Sequence, residues 1–236
     1  MKSTVDEIRE RFDNDVERFS NLETGQSATI DAPLCLELVA EAASLVTPDA
    51  KSILDIGCGA GNFTLKLLQR FKGADATLID LSRPMLDRAR QRIGQVNAGR
   101  VQAIQGDVRE IELGDQQFDV VIAAAVLHHL RSEWEWSAVC NKIFNTIGPG
   151  GSFWIFDLIS HTHAPVHEAM WQRYGQYLAE LKDEAYRDDM FEYIEKEDSP
   201  VALMTIVDHL REAGFVDVEV LHKHNCYAAL GGVRRA

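Results

Sequence analysis

Gly57, Gly59 and Gly61 fall at alternate positions directly after a short apolar run, Ile53-Leu54-Asp55-Ile56, that carries a carboxylate. Glycine allows sharp turning and lets a ligand lie against bare backbone. Asn62 to Leu68 follows with helical spacing, so the segment reads as strand, glycine turn and helix, the layout of a nucleotide-type cofactor site. A dinucleotide fingerprint needs a glycine at the sixth position, where this chain has Asn62. Asp55 at the strand end would repel a pyrophosphate and attract a cationic ammonium, directly or through water. The turn therefore favours a ligand with an amino-acid end and a nucleoside end over NAD. Further along, His128-His129 stands just past an apolar strand, where an imidazole can accept a proton from a hydroxyl or amine. His161, His163 and His167 are spaced H-x-H-x3-H, and His222 and His224 flank Lys223. The first three read as a polar loop at a pocket mouth and the last two as surface or rim residues, so no metal site is expected.

These residues need a frame. Strands are expected over Ser52–Asp55, Ala76–Ile79, Val101–Gln105, Phe118–Ala123 and Ser152–Phe156, alternating with helices. Such near-continuous apolar strands imply a parallel sheet covered on both faces. Ahead of them, Thr4-Val5-Asp6-Glu7 fits a capping box, and Val5, Ile8, Phe12, Val16 and Phe19 recur at helical spacing. Asn21 to Thr29, with Gly25, reads as a loop, and Asp31-Ala32-Pro33 opens a second helix. Ser82 caps the helix that carries Pro84, and a further helix over Trp134–Ile147 stops at Gly148-Pro149-Gly150-Gly151. The alternation breaks at His161–Ser199, a helical insertion rich in aromatics in which Asp183–Asp198 holds eight acids. Ser199-Pro200 is expected to start the last helix, and Val216–Leu221 and Cys226–Leu230 to form a hairpin-like edge.

The chain has 236 residues, is 46% hydrophobic and has a formal net charge of −13, which disfavours phosphate backbones as partners. Its longest apolar run, Val120–Leu127, is far short of the roughly 20 residues that cross a bilayer, and no signal peptide is visible. The four cysteines are scattered and form no CxxC pair, which fits a reduced cytoplasm.

Asp55-Ile56-Gly57-Cys58-Gly59-Ala60-Gly61 resembles the first motif of class I S-adenosylmethionine-dependent methyltransferases. The order of motifs carries the resemblance from about Ser52 to Phe156. It implies a doubly wound, seven-stranded, mostly parallel Rossmann-like α/β sheet and methyl transfer from S-adenosyl-L-methionine to a small-molecule acceptor. On this resemblance Asp80 holds the ribose hydroxyls, as a carboxylate accepting from a vicinal diol, and Asp107-Val108 reads the adenine. Asp55, Gly57, Cys58, Gly59, Gly61, Leu81, Met85, Ala124 and Phe19 complete the expected cofactor contacts. His129 and His128 are the candidate bases. Trp171 and Tyr174, with Arg173 and Arg187 for a substrate carboxylate, are the candidate acceptor contacts. One domain is expected: an N-terminal cap (1–46), a cofactor core (51–157), a helical lid (160–199), and a final helix with edge strands (200–236). A weaker resemblance, of Phe12-Asp13, Val16, Phe19, Ala213-Gly214-Phe215 and Cys226–Leu230, is to carboxy-S-adenosylmethionine synthase of tRNA wobble-uridine modification, whose turn carries serine at the position of Gly59. A non-catalytic binding module is the remaining alternative. The sequence leaves the oligomeric state open, a homodimer included.

Overall fold

A computed structural model describes residues 2–21, 26–96, 99–114 and 117–236. Positions 22–25 of the loop expected over Asn21–Thr29 lie outside the described residues. The sheet consists of β1 (Ser52–Ile56), β2 (Asp75–Asp80), β3 (Val101–Gln105), β4 (Phe118–Ala124), β5 (Ile147–Leu158), β6 (Val216–His224) and β7 (Tyr227–Val233). Their spatial order is β3-β2-β1-β4-β5-β7-β6, seven strands in one sheet among the described residues. β1 to β5 run parallel, and β7 is antiparallel to both β5 and β6. The expected seven-stranded, mostly parallel sheet is present. β7 lies inside it and β6 alone forms that edge, so the last two strands are not both peripheral.

The helices are α1 (Val5–Asn14), α2 (Val16–Ser20), α3 (Ala32–Val46), α4 (Asn62–Arg70), α5 (Arg83–Gly94), α6 (Glu133–Thr146), α7 (Ala164–Leu181), α8 (Glu184–Glu197) and α9 (Leu203–Ala213). The period-two alternation of the strands sorts their side chains to two faces. Ile53, Val120, Ile122, Trp154 and Phe156 pack against α3, α4, α5, α7 and α8. Leu54, Ile56, Val121, Ala123, Phe153 and Ile155 pack against α6 and α9. Both faces are therefore dry, as near-continuous apolar strands require.

Local signals set most boundaries. Thr4 and Glu7 form the capping box of α1, and Ser82 accepts from the Met85 N–H at the start of α5. Three expectations need correction. The N-terminal apolar stripe is not one helix, because it breaks at Asp15 between α1 and α2. The glycine-rich turn at 148–151 does not separate helix from strand. It is absorbed into β5 as an irregularity between the Phe118↔Ile147 and Val120↔Ser152 pairs. The last helix starts at Leu203, not Ser199, because the backbone before it is bound elsewhere. Ser199 N–H donates to the His128 carbonyl at 2.7 Å, and Ser160 N–H to the Val201 carbonyl at 2.9 Å.

Register brings the carboxyl ends of the central strands level. Ile56 lies beside Ile79 and Ala123, Asp80 beside Gln105, and Ala124 beside Phe156. Strand order reverses between β1 and β4, and crevices at such points are where doubly wound sheets bind ligands.

Candidate active site

The glycine turn builds the floor of the crevice. Gly57, Gly59 and Gly61 all have positive φ, at 67°, 49° and 83°. At Gly57 a Cβ would stand 2.5 Å from Val126 Cγ2, so the turn closes only with glycine. At Gly59 nothing lies within 4 Å of a Cβ position, which leaves bare backbone facing the crevice. Its N–H donates to Asp80 Oδ2 at 2.8 Å, and the Ser82 N–H donates to Asp80 Oδ1 at 2.8 Å. Each Asp80 oxygen thus keeps acceptor capacity beyond the protein bond it already has.

Asp55 is buried and accepts from Thr64 Oγ1 at 2.5 Å. Burial raises its pKa, against the Thr64 bond and with help from the nearby Asp80 charge, to about 7. Burial likewise raises Asp80, against the Ser82 and Gly59 N–H bonds, to about 6. Two buried carboxylates with no cation paired to them fit a ligand that brings a positive group and hydroxyl donors.

The crevice opens between Asp55, the glycine turn, Asp80, Leu81, Met85 and Ala124, beside Phe12 and Phe19. It continues into an arm lined by Ile79, Asp107, Val108 and Arg109. Asp107 is fixed by a double hydrogen bond from Arg109, which also reaches Glu135 at 2.8 Å. Lys142 Nζ binds the carbonyls of Val108, Arg109 and Ile111, so the turn after β3 is clamped from α6.

On its other side the crevice meets a hollow walled by Phe12, Phe19, Tyr174, Tyr193 and Tyr227. His129 lines all three spaces. Ala125, at their junction, is held at φ 53°, a conformation L-residues rarely adopt and one that clusters at functional sites. The roof over the hollow is a cross-chain contact. Arg11 of α1 donates two bonds from Nε to Glu197 of α8, at 3.0 and 3.1 Å, and one from Nη2 to Tyr193 Oη at 2.8 Å.

The two histidines behave differently. His128 Nδ1 pairs with Asp157, whose carboxylate also accepts from the N–H groups of Leu127 (2.8 Å), His128 (3.2 Å) and Leu158 (2.8 Å). Burial opposes the His128 charge, but Asp157 and Asp198 outweigh it and raise its pKa to about 9. The neighbouring carboxylates therefore favour the imidazolium form of His128, whose Nδ1 faces Asp157. His129 is pushed well below its ordinary value by burial and by the adjacent His128 charge. Its Nδ1 has no hydrogen-bond partner and lies 3.3 Å from Asp198 Oδ1, which has none either. Burial raises Asp198, despite His128, to about 6. His129 Nδ1 and Asp198 Oδ1 thus face one another without a hydrogen bond, and His128 Nε2 lies 3.6 Å from the same Asp198 oxygen.

The crevice and its arm bring together eleven of the twelve expected cofactor contacts: Asp55, Gly57, Cys58, Gly59, Asp80, Leu81, Met85, Ala124 and Phe19 on the crevice wall, and Asp107 and Val108 on the arm; Gly61 lines neither and is the N-cap of α4. Tyr174 lines the hollow, whereas Trp171 faces a separate outer groove with His167 and Phe191. Arg173 is exposed, and Arg187 pairs with Asp188 and Glu184; neither lines the hollow. Asp157, at the end of β5, and Asp198, one acid in a run of eight, are site residues absent from the expected set.

Residues 53–151 match the methyltransferase domain family. That match, with the relatives and solved structures below, supports a class I S-adenosylmethionine-dependent methyltransferase. It is 27% identical to demethylmenaquinone methyltransferase of Lactococcus lactis over 173 residues, 71% of this chain and 67% of that protein. It is 26% identical to malonyl-[acyl-carrier protein] O-methyltransferase of Priestia megaterium over 145 residues, 61% of this chain and 48% of that protein. The chain thus spans about half the length of the second. Human N-acetylserotonin methyltransferase, solved with S-adenosylmethionine, shares the fold at a TM-score of 0.62 and 16% identity. The likeness covers 97% of this chain and 57% of the human one. No helix among the described residues of this methyltransferase chain is long and apolar enough to cross a membrane.

Proposed function

We propose that the chain binds S-adenosylmethionine in the crevice and methylates a small, flat, largely apolar acceptor carrying an ionisable hydroxyl, held in the aromatic hollow. The observation that carries this reading is the junction at His129, where a crevice fitted for a nucleoside amino acid meets a separate aromatic chamber. When bound, the cofactor supplies an electrophilic sulfonium methyl group.

The chain's own residues do the rest. Asp80 accepts from the ribose hydroxyls, Asp107 from the adenine amino group, and Asp55 attracts the ammonium end. The aromatic walls exclude water and align the acceptor oxygen, which is the main work in an in-line displacement. Forming the oxygen–carbon bond breaks the carbon–sulfur bond and releases the acceptor's proton. His129 Nδ1 and Asp198 Oδ1, which face one another without a hydrogen bond, take up that proton. His128, fixed as a cation by Asp157, holds Asp198 in place. In this reading residues 1–46 cap the cofactor core at 51–157, residues 160–199 form the lid, and 200–236 complete the sheet. The similarity to demethylmenaquinone methyltransferase, whose name states a quinone acceptor, supports a ring-bearing acceptor.

Calorimetry tests the cofactor assignment: one S-adenosylhomocysteine per chain should bind, and its absence would sink the reading. The mass of any co-purified cofactor also separates methyl transfer from carboxylated-cofactor synthesis. Once a phenol or quinol panel yields an acceptor, His129→Gln should lower kcat by about 100-fold with little change in KM for S-adenosylmethionine, the range of a lost general base. The wild-type rate should fall on the acid side near pH 6, where the Asp198 carboxylate takes its proton. Full turnover in the variant would remove His129 from this role.

A further inference from the structure

Asp31 is the N-cap of α3, a position where aspartate ordinarily accepts from the first helical N–H groups. Here its side chain caps nothing, and its backbone is held at φ 58°. The carboxylate is turned outward instead. Asp31 Oδ2 lies 2.8 Å from His222 Nε2 and 2.8 Å from His224 Nδ1. The two histidines are two residues apart on the edge strand β6, so the strand's period places both rings on one face. The three donor atoms lie within 4.8 Å of one another. A residue that gives up its local role and adopts a strained backbone to meet two imidazoles from the far end of the chain marks a built cluster.

We propose that Asp31, His222 and His224 bind a divalent transition-metal ion of the zinc class. Two imidazoles and one carboxylate form a zinc-type donor set, with the fourth position left to water. Tetrahedral zinc with bonds of about 2.0 Å keeps its ligands about 3.3 Å apart, so the present spacing must open by about half an ångström. His224 is about half exposed and can give that much. Binding swaps the two N–H donors for two lone pairs: each neutral ring moves its proton to the other nitrogen, and no redox change is involved.

The location gives the ion a purpose. Ala28 and Thr29, just before Asp31, wall the aromatic hollow. Tyr174 and Tyr177 of α7 donate to the carbonyls of Ala28 (3.0 Å) and Ser27 (2.6 Å). The segment before α3 is thus tied to α7 on one side, and a bound ion would pin its end to the sheet edge on the other. Ligands that bind only the folded state stabilise it in proportion to their saturation.

The test is titration of EDTA-treated, desalted protein with Co²⁺ and then Zn²⁺, read by visible absorption and thermal melting. The expected result is one Co²⁺ per chain with the intense bands of a tetrahedral site, displacement by Zn²⁺, and a melting rise of several degrees at saturating Zn²⁺. His222→Gln/His224→Gln should abolish the bands and the rise while melting near the metal-free wild type. If the double variant does not fold, His224→Gln at the half-exposed position should still weaken binding at least tenfold. Absence of stoichiometric binding in the wild type, or binding that persists in the variants, overturns the proposal.

Discussion

Replacing Asp157 with alanine is expected to lower folding stability by about 3–5 kcal/mol, the scale for breaking a buried charge pair. With two to four degrees per kcal/mol in a chain of this size, the melting point should fall by about 10 °C. The reason is concentration of function in one side chain. Asp157 is fully buried, and it satisfies three backbone N–H groups as well as the His128 ring. Alanine leaves those donors unmet and the imidazolium without its partner. The pH dependence identifies the charge contribution. The folded pKa of His128 is raised to about 9 from an ordinary value of 6.5. Stability from its charge is therefore complete below about pH 6.5 and is lost as pH rises through 9. The gap between wild type and Asp157→Ala, measured by urea unfolding, should be wider at pH 6 than at pH 10. Asp157→Asn, which keeps shape and part of the bonding, should fall between them. A loss under about 1 kcal/mol, or a gap independent of pH, would show that the pair carries little.

That network also explains what the sequence could and could not convey. The floor of the crevice is local: apolar strands, a glycine turn and acids at strand ends lie within short windows, so Asp55, Asp80 and Asp107 could be placed at strand ends, and the family resemblance supplied the roles of Asp80 and Asp107. The chemistry at the junction is not local. Asp198 enters the site because α8 folds back under α1, an arrangement held by Arg11 and Glu197, which are 186 residues apart. Composition alone does not distinguish the buried member of an acidic run. A faint signal existed, since Asp198 is the C-cap of α8, where the helix dipole disfavours a carboxylate. Asp31 is a second case, a capping residue that does not cap. In both, a broken local rule coincides with a cluster of charged groups, as expected where tertiary demands override propensity. The positions of the two arginines have the same origin. Arg173 and Arg187 lie in an aromatic insertion, but only packing decides which side chains of α7 and α8 line the hollow, and neither arginine does.

Asp80→Ala should weaken S-adenosylhomocysteine binding by at least 100-fold while leaving the protein folded. Two charge-assisted hydrogen bonds to a diol are at stake, each worth about 1.5–3 kcal/mol, and 1.4 kcal/mol corresponds to tenfold. The carboxylate also holds the glycine turn through the Gly59 N–H, so part of the loss is the turn's own order. Asp80→Asn separates these contributions: an amide keeps one acceptor for the turn but offers a donor where the second hydroxyl needs an acceptor. Its affinity should lie between the other two. Proton uptake must act on the wild type in the same direction. Asp80 and Asp55 have pKa values raised to about 6 and about 7, and both serve the ligand as anions. Affinity should therefore hold above pH 7.5 and fall as pH drops through 7 and 6. In Asp80→Ala the fall should be shallower, because one of the two titrating groups is gone. Calorimetry across pH 5.5 to 8.5 reads both effects. A variant that binds within threefold of wild type would place the ribose elsewhere and empty the crevice of its assigned ligand.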